Sequence, residues 1–155
     1  MNNHSYYIEK TYQLARHAQA ANNHPFGALL VFNDAIILSS ENTVVTDKDI
    51  TKHAELNLIS LATRQFDSKT LSQAVIYTST EPCAMCAGAI FWSGISTVVY
   101  GCSAKKLGEL TTGSLVIPCE KIFEYGNRAT KVIGPILESQ GVNIHKDYWK
   151  RDLIT

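Results

Sequence analysis

The stretch AVIYTSTEPCAMCAGAIFWSGISTVVYG, residues 74–101, decides the architecture. Ala74–Thr78 is a short run of branched and apolar residues that reads as a strand. Glu81-Pro82-Cys83 follows, where proline suits the first turn of a helix continuing through Ala84 to Trp92. Ile95–Gly101 is another buried strand. Two short strands joined by a helix make a βαβ crossover, so this part of the sheet is parallel and helices cover its faces. The implied class is α/β, layered α/β/α.

Working outward, Ile8, Leu14, Ala15, Ala18 and Ala21 recur at helix-compatible spacing from Ser5 until Asn22-Asn23-His24-Pro25 ends the pattern. Gly27–Phe32 and Ala35–Ser39 flank Asn33-Asp34, a turn pair that tolerates positive φ, and read as a β-hairpin. Asn42–Thr51 is a polar loop. A helix beginning at His53 follows, with Leu56, Ile59, Ser60 and Thr63 in period and Thr51 or Asp49 available as its cap. Past the crossover, Pro118–Tyr125 reads as helical and Lys131–Ile133 as extended. Gly134-Pro135 then precedes a terminal helix that Gly141 is placed to interrupt. No repeat, low-complexity tract or linker divides residues 1–155, which read as one domain.

Composition bounds the function. With 155 residues and 45% hydrophobic side chains, the chain buries roughly 68–70% of its unfolded surface and needs neither disulfide nor metal merely to fold. Any metal it binds is therefore suspected of chemistry. Fourteen Lys+Arg balance 14 Asp+Glu, which argues against affinity built on neutralising phosphates. No apolar run reaches the roughly 18 residues of a membrane span, and the start lacks a signal-peptide layout, so a cytoplasmic protein is expected. Of four cysteines, Cys83 and Cys86 form a CxxC while Cys102 and Cys119 stand alone in apolar contexts typical of inert buried thiols.

His53-Ala54-Glu55 opens one helix and Pro82-Cys83-Ala84-Met85-Cys86 another, together supplying one imidazole and two thiolates. Zinc accepts these donors tetrahedrally, and a site with three protein ligands keeps its fourth position for a water that ionises near neutral pH. Helix N-termini favour the thiolate that metal binding requires. Glu55 is two residues from His53, about 200° around a regular helix, so the two side chains are not expected to bind one metal. Glu55 suits a proton shuttle instead, serving attacking water and leaving amine. A structural Cys₃His zinc would need Cys102 or Cys119, and a thioredoxin-like reading leaves His53 and Glu55 without a role.

These residues resemble the zinc-dependent cytidine and deoxycytidylate deaminase superfamily, whose signature is H-x-E followed by P-C-x-x-C. Within it, Pro25-Phe26-Gly27-Ala28, Asn42, His53-Ala54-Glu55 and Thr80-Glu81-Pro82-Cys83-Ala84-Met85-Cys86-Ala87-Gly88-Ala89-Ile90 are similar to the compact branch of guanine and tRNA-adenosine deaminases. The likeness spans about Tyr6 to Leu115, roughly 70% of the chain. It implies a mixed five-stranded sheet between helical layers, Zn2+ on His53, Cys83 and Cys86, and Glu55 as the catalytic proton carrier. It further implies Phe26 near the base, Asn42 bonding base or sugar, the surroundings of Ala54 lining the pocket, and a homodimer.

Phe91-Trp92 resembles an aromatic pair of guanine deaminases, which puts Trp92 among the substrate contacts. Leu110–Leu115 lacks the acidic residue those enzymes carry there, and Gly113-Ser114-Leu115 is closer to the tRNA branch. Glu109 is either a displaced carboxylate or, more simply, a solvated helix charge. In the tail, His145-Lys146-Asp147-Tyr148-Trp149-Lys150-Arg151-Asp152 mixes both signs, which does not favour RNA, while Tyr148 and Trp149 either close over a small substrate or pack as an amphipathic end. The leading expectation is hydrolytic deamination of a free nucleobase or nucleoside, purine and guanine-like, with release of ammonia. Adenosine deamination in tRNA and cytosine or cytidine deamination are the alternatives, and a catalytically silent zinc module is the non-enzymatic one.

Overall fold

A computed structural model describes residues 3–149. In chain order the elements are α1 (His4–Ala20), β1 (Gly27–Phe32), β2 (Ala35–Glu41), α2 (Val44–Asp47), α3 (Ala54–Gln65), α4 (Ser68–Gln73), β3 (Val75–Thr80), α5 (Ala84–Ser93), β4 (Thr97–Cys102), α6 (Ala104–Leu110), α7 (Cys119–Phe123), β5 (Lys131–Ile133) and α8 (Glu138–Trp149). The strands form one five-stranded sheet in the order β2-β1-β3-β4-β5. β1 runs antiparallel to both β2 and β3, whereas β3, β4 and β5 are parallel. The expected mixed α/β sheet is present, and α5 is the crossover between its parallel central strands.

Strand alternation builds the layers. Leu30, Ile76 and Val98 turn to one face, where Leu58 and Ala62 of α3 and Ile90 of α5 bury them. Their neighbours Leu29, Tyr77 and Val99 turn to the other, against Ile8 and Tyr12 of α1 and Ile144 of α8. The hairpin turn has Asn33 and Asp34 at φ 50° and 60°, the two positive values a type I′ connection needs. α5 ends at Gly94 in the left-handed region, at φ 88°.

Several local expectations change. The sequence places the helix start at His53, but His53 is the N-cap, with φ −66° and ψ 152°, and α3 begins at Ala54. Its buried stripe is accordingly Ala54, Glu55, Leu58, Ile59 and Ala62, while Ser60 and Thr63 face outward. Asp49 and Thr51 do not cap it: Asp49 Oδ1 accepts from the backbone N–H and hydroxyl of Thr51, closing a local turn. The polar loop contains the single turn α2, β2 runs two residues past Ser39, and α4 and α6 escape the sequence reading because each is short.

Gly141 does not interrupt α8. It lies inside the helix because a Cβ there would sit 2.8 Å from Cys102 Cβ and from the Tyr12 hydroxyl. Glycine at this position lets α8 approach β4 and α1. Gly141→Ala is expected to lower stability by about 1–3 kcal/mol, the usual cost of overpacking a tight contact, and thermal unfolding reads the drop.

Candidate active site

The site lies at the C-terminal end of β3, where α3 and α5 both begin. His53 and Cys83 occupy the N-cap positions of these helices in extended conformation, and neither side chain makes a capping hydrogen bond. They turn toward each other. His53 Nδ1 lies 3.7 Å from Cys83 Sγ and 3.5 Å from Cys86 Sγ, and all three donor atoms fall within 4.8 Å of one another.

Those separations test the fit to zinc. Zn–S bonds of about 2.3 Å and Zn–N bonds of about 2.0–2.1 Å at a tetrahedral angle set an S···N edge of about 3.6 Å, which the two His53–thiol distances straddle. Cys102 and Cys119 are buried elsewhere, and no fourth protein ligand joins the cluster among the described residues. Burial pushes the Cys102 thiol up to about 12 and raises that of Cys119 as well. The structural Cys₃His alternative is thereby removed, and the three-ligand site keeps an open position.

The three donors are linked by hydrogen bonds. The hydrogen bond from the Cys86 thiol, helped by His53, holds Cys83 down at about 4. The same bond and burial raise Cys86, while the hydrogen bond to Cys83 raises His53. Metal binding to this set releases protons.

Glu55, expected near the metal without binding it, lies beside the cluster and is not one of its three donors. Glu55 Oε2 lies 3.7 Å from Cys86 Sγ, the residue is 5% exposed, and burial is the main cause that pushes its carboxyl up to about 7. An acid that exchanges its proton near neutral pH is matched to a shuttle.

A cavity of about 550 Å³ opens over these groups. Phe26, His24 and Trp149 contribute aromatic walls, while Leu107, Leu110 and Leu115 of α6 and the loop after it contribute aliphatic ones. The Trp149 and His24 rings meet edge to face with centroids 5.4 Å apart. Trp149 is thus at the cavity, as one reading of the tail expects. Lys150, Arg151 and Asp152 lie outside the described residues.

The remaining substrate contacts fare unequally. Phe26 lines the cavity as expected. Ala54 buries its side chain in the core between α3 and the sheet, so only its backbone stands beside the metal ligands. Asn42 is buried but does not line the cavity; its Oδ1 accepts from Val44 N at 3.0 Å and starts α2. Trp92 is 84% exposed on the outer side of α5, edge to face with Phe91, and is not brought to the cavity at all.

Two buried residues escaped the sequence reading. Glu81, itself at the cavity, accepts from the N–H groups of Ala104 at 2.8 Å and Cys119 at 2.8 Å, tying the start of α7 to α6, whose Ala104, Leu107 and Leu110 line the cavity. His145 bonds Thr80 and Trp149. The only signal for Glu81 was an acid directly before the P-C-x-x-C turn, and for His145 its i,i+4 spacing to Trp149.

Comparison with known proteins accords with this geometry. A profile described as the cytidine and deoxycytidylate deaminase zinc-binding region matches residues 1–102. The chain belongs to that family. A probable cytosine deaminase of Schizosaccharomyces pombe is 38% identical over 149 residues, covering 92% of this chain and 90% of its own. The guanine deaminase of Bacillus subtilis is 38% identical over 99 residues, covering 63% of this chain and 64% of its own. Among solved structures, guanine deaminase from Nitrosomonas europaea superposes with a TM-score of 0.80 at 25% identity, covering 93% of this chain and 83% of its own. Bacterial tRNA-specific adenosine deaminases are relatives too. The protein is a zinc-dependent deaminase acting on nucleobases or nucleosides, and the resident metal is zinc.

Cys83→Ala is expected to lose stoichiometric zinc, because it removes a ligand from a site that has no spare. Metal analysis after gel filtration checks this, and full occupancy in the variant would refute the ligand set.

Proposed function

We propose that the protein hydrolyses the exocyclic amine of a free nucleobase, with cytosine as its best substrate, and that the chain acts as one catalytic domain. One observation carries the small, unphosphorylated substrate. No lysine or arginine is among the described residues that line the cavity, so these walls offer a phosphate no cation, which sets a base or nucleoside ahead of a nucleotide or tRNA. What they offer is mostly aromatic and aliphatic area, with Thr111, Thr112, Ser114 and Glu81 as polar groups beside the metal ligands and Glu55, which suits a flat, uncharged ring with hydrogen-bonding edges.

The ranking of bases rests on how much of the chain each relative matches and at what identity. The relative named a probable cytosine deaminase is 38% identical over 92% of the chain, whereas the guanine deaminase of Bacillus subtilis reaches 38% over 63% of it, and tRNA-specific adenosine deaminases that match 94% are 29–30% identical. Phe91-Trp92, the pair that favoured guanine, does not touch the cavity. Guanine remains the second reading, supported by the Nitrosomonas europaea neighbour and by a cavity roomy enough for a bicyclic base. Adenosine in tRNA ranks third, since the chain's net charge is +0.

Zinc on His53, Cys83 and Cys86 supplies Lewis acidity that makes a water nucleophilic near neutral pH. Glu55 takes one proton from the attacking water and delivers it to the ring nitrogen beside the amine-bearing carbon, then takes the second proton from the hydroxyl now on that carbon and passes it to the departing amine, which leaves as ammonia as the carbonyl forms. The balance is base amine plus water giving base carbonyl plus ammonia. Phe26 and Trp149 hold the ring between them and exclude bulk water.

With zinc-loaded protein, ammonia release is expected from cytosine ahead of guanine, adenosine, cytidine and a tRNA. Glu55→Gln should lower turnover by about 10²–10⁴-fold or more while zinc is retained. Turnover of guanine alone would select the second reading, turnover of tRNA alone the third, and an active, metal-loaded Glu55→Gln protein would end the shuttle assignment.

We also read the protein as a homodimer. Met85, Ala89 and Trp92 fall at i, i+4 and i+7 on α5, and Trp92 and Met85 are exposed apolar side chains. Light scattering should give twice the chain mass for the wild type and a shift toward the single-chain mass for Trp92→Asp.

A further inference from the structure

We propose that His145 is a positioning residue, holding the Trp149 indole at the cavity and tying it to the strand end that leads into the zinc-binding turn. The inference rests on the reading of the cavity as a nucleobase site. His145 sits on α8 with 1% of its surface exposed and does not itself line the cavity. It therefore acts through its neighbours, and both of its ring nitrogens are engaged.

On one side, Trp149 Nε1 lies 3.2 Å from His145 Nδ1. An indole N–H only donates, so Nδ1 must be the acceptor and carries no proton. The neutral ring then has its proton on Nε2, which lies 2.7 Å from Thr80 Oγ1 and donates to it. The tautomer follows from the identity of the partners. Thr80 ends β3, three residues before Cys83. The chain Trp149–His145–Thr80 thus links the aromatic wall to the segment that presents the thiol ligands.

Packing completes the arrangement. The imidazole lies against the Phe26 ring, with centroids 5.2 Å apart, so one side chain supports both aromatic walls. Burial pushes His145 down to about 4, which keeps the ring in the neutral form this bonding pattern uses. A phenylalanine would supply comparable volume at this position. It would supply neither nitrogen, so the two hydrogen bonds are what distinguishes histidine here.

The test pairs His145→Phe, which keeps a ring and removes both nitrogens, with His145→Asn, whose amide can replace Nδ1 as acceptor. On the base that the wild type turns over, at equal zinc content, His145→Phe should raise KM about tenfold and change kcat less than about threefold, a loss of roughly 1.4 kcal/mol in binding. His145→Asn should recover most of that KM. A second readout needs no substrate. The chain has two tryptophans, so Trp92→Phe leaves Trp149 as the sole indole, whose N–H resonance should move in His145→Phe and return in His145→Asn.

An unchanged KM, an unmoved resonance, or a fall in kcat together with zinc content overturns the proposal. If the wild type deaminates no free base, the substrate reading fails while the resonance still decides whether His145 holds the indole. Should His145→Phe not fold, Thr80→Val removes the imidazole's other hydrogen bond at a residue that does not line the cavity. At equal zinc content it is expected to raise KM and move the Trp149 N–H resonance, and an unchanged KM and resonance there overturn the proposal equally.

Discussion

The imidazole of His53 meets the thiols of Cys83 and Cys86 because α3 and α5 begin side by side at one end of the sheet, each at a residue that gives up its capping bond. An N-cap side chain ordinarily accepts from the first turn, and forgoing that costs about 1 kcal/mol per helix. Here the two N-cap side chains are left free to hold a metal instead. Both helix dipoles then point their positive ends at the site, which favours thiolate ligands and any negative charge that develops beside them. The crossover β3–α5–β4 fixes one of these helix starts, and packing of α3 on the same sheet face fixes the other.

Glu55 follows from the same geometry. Because the ligand is the cap and not the first helical residue, the residue two places on turns inward and is buried among the ligands. Burial that would be a liability for a structural carboxylate is here what brings its pKa toward neutrality, which suits the proton shuttle proposed for it. Catalytic placement and helix boundary are therefore one feature of the chain.

The walls of the cavity are assembled differently, from parts far apart in sequence. Phe26 comes from the loop before β1, the leucines from α6 and the segment after it, and Trp149 from the last turn of α8. Buried polar groups lock these parts together. Glu81 gathers the starts of α6 and α7, Tyr12 bonds the carbonyls of Ile136 and Leu137 ahead of α8, and His145 bonds Thr80. Each sits in low dielectric, where a satisfied polar group specifies one arrangement and an unsatisfied one is costly. Substrate choice is thus a property of the packing more than of the signature residues.

The candidate zinc ligands and Glu55 are legible in the sequence because their spacing is local: H-x-E and C-x-x-C each lie on one turn, while bringing the two turns together needed α3 and α5 to pack on one face of the sheet. Strands and the crossover are legible for the same reason, since period and turn chemistry act over a few residues. What tertiary structure alone decided is long-range. Trp92 carries an aromatic ring but sits on the outer side of α5, Asn42 spends its side-chain oxygen on a loop, and Gly141 breaks no helix because two neighbouring elements need its missing side chain. His145 joins the site only because α8 packs beside the end of β3, a contact between residues 65 positions apart that no local pattern encodes.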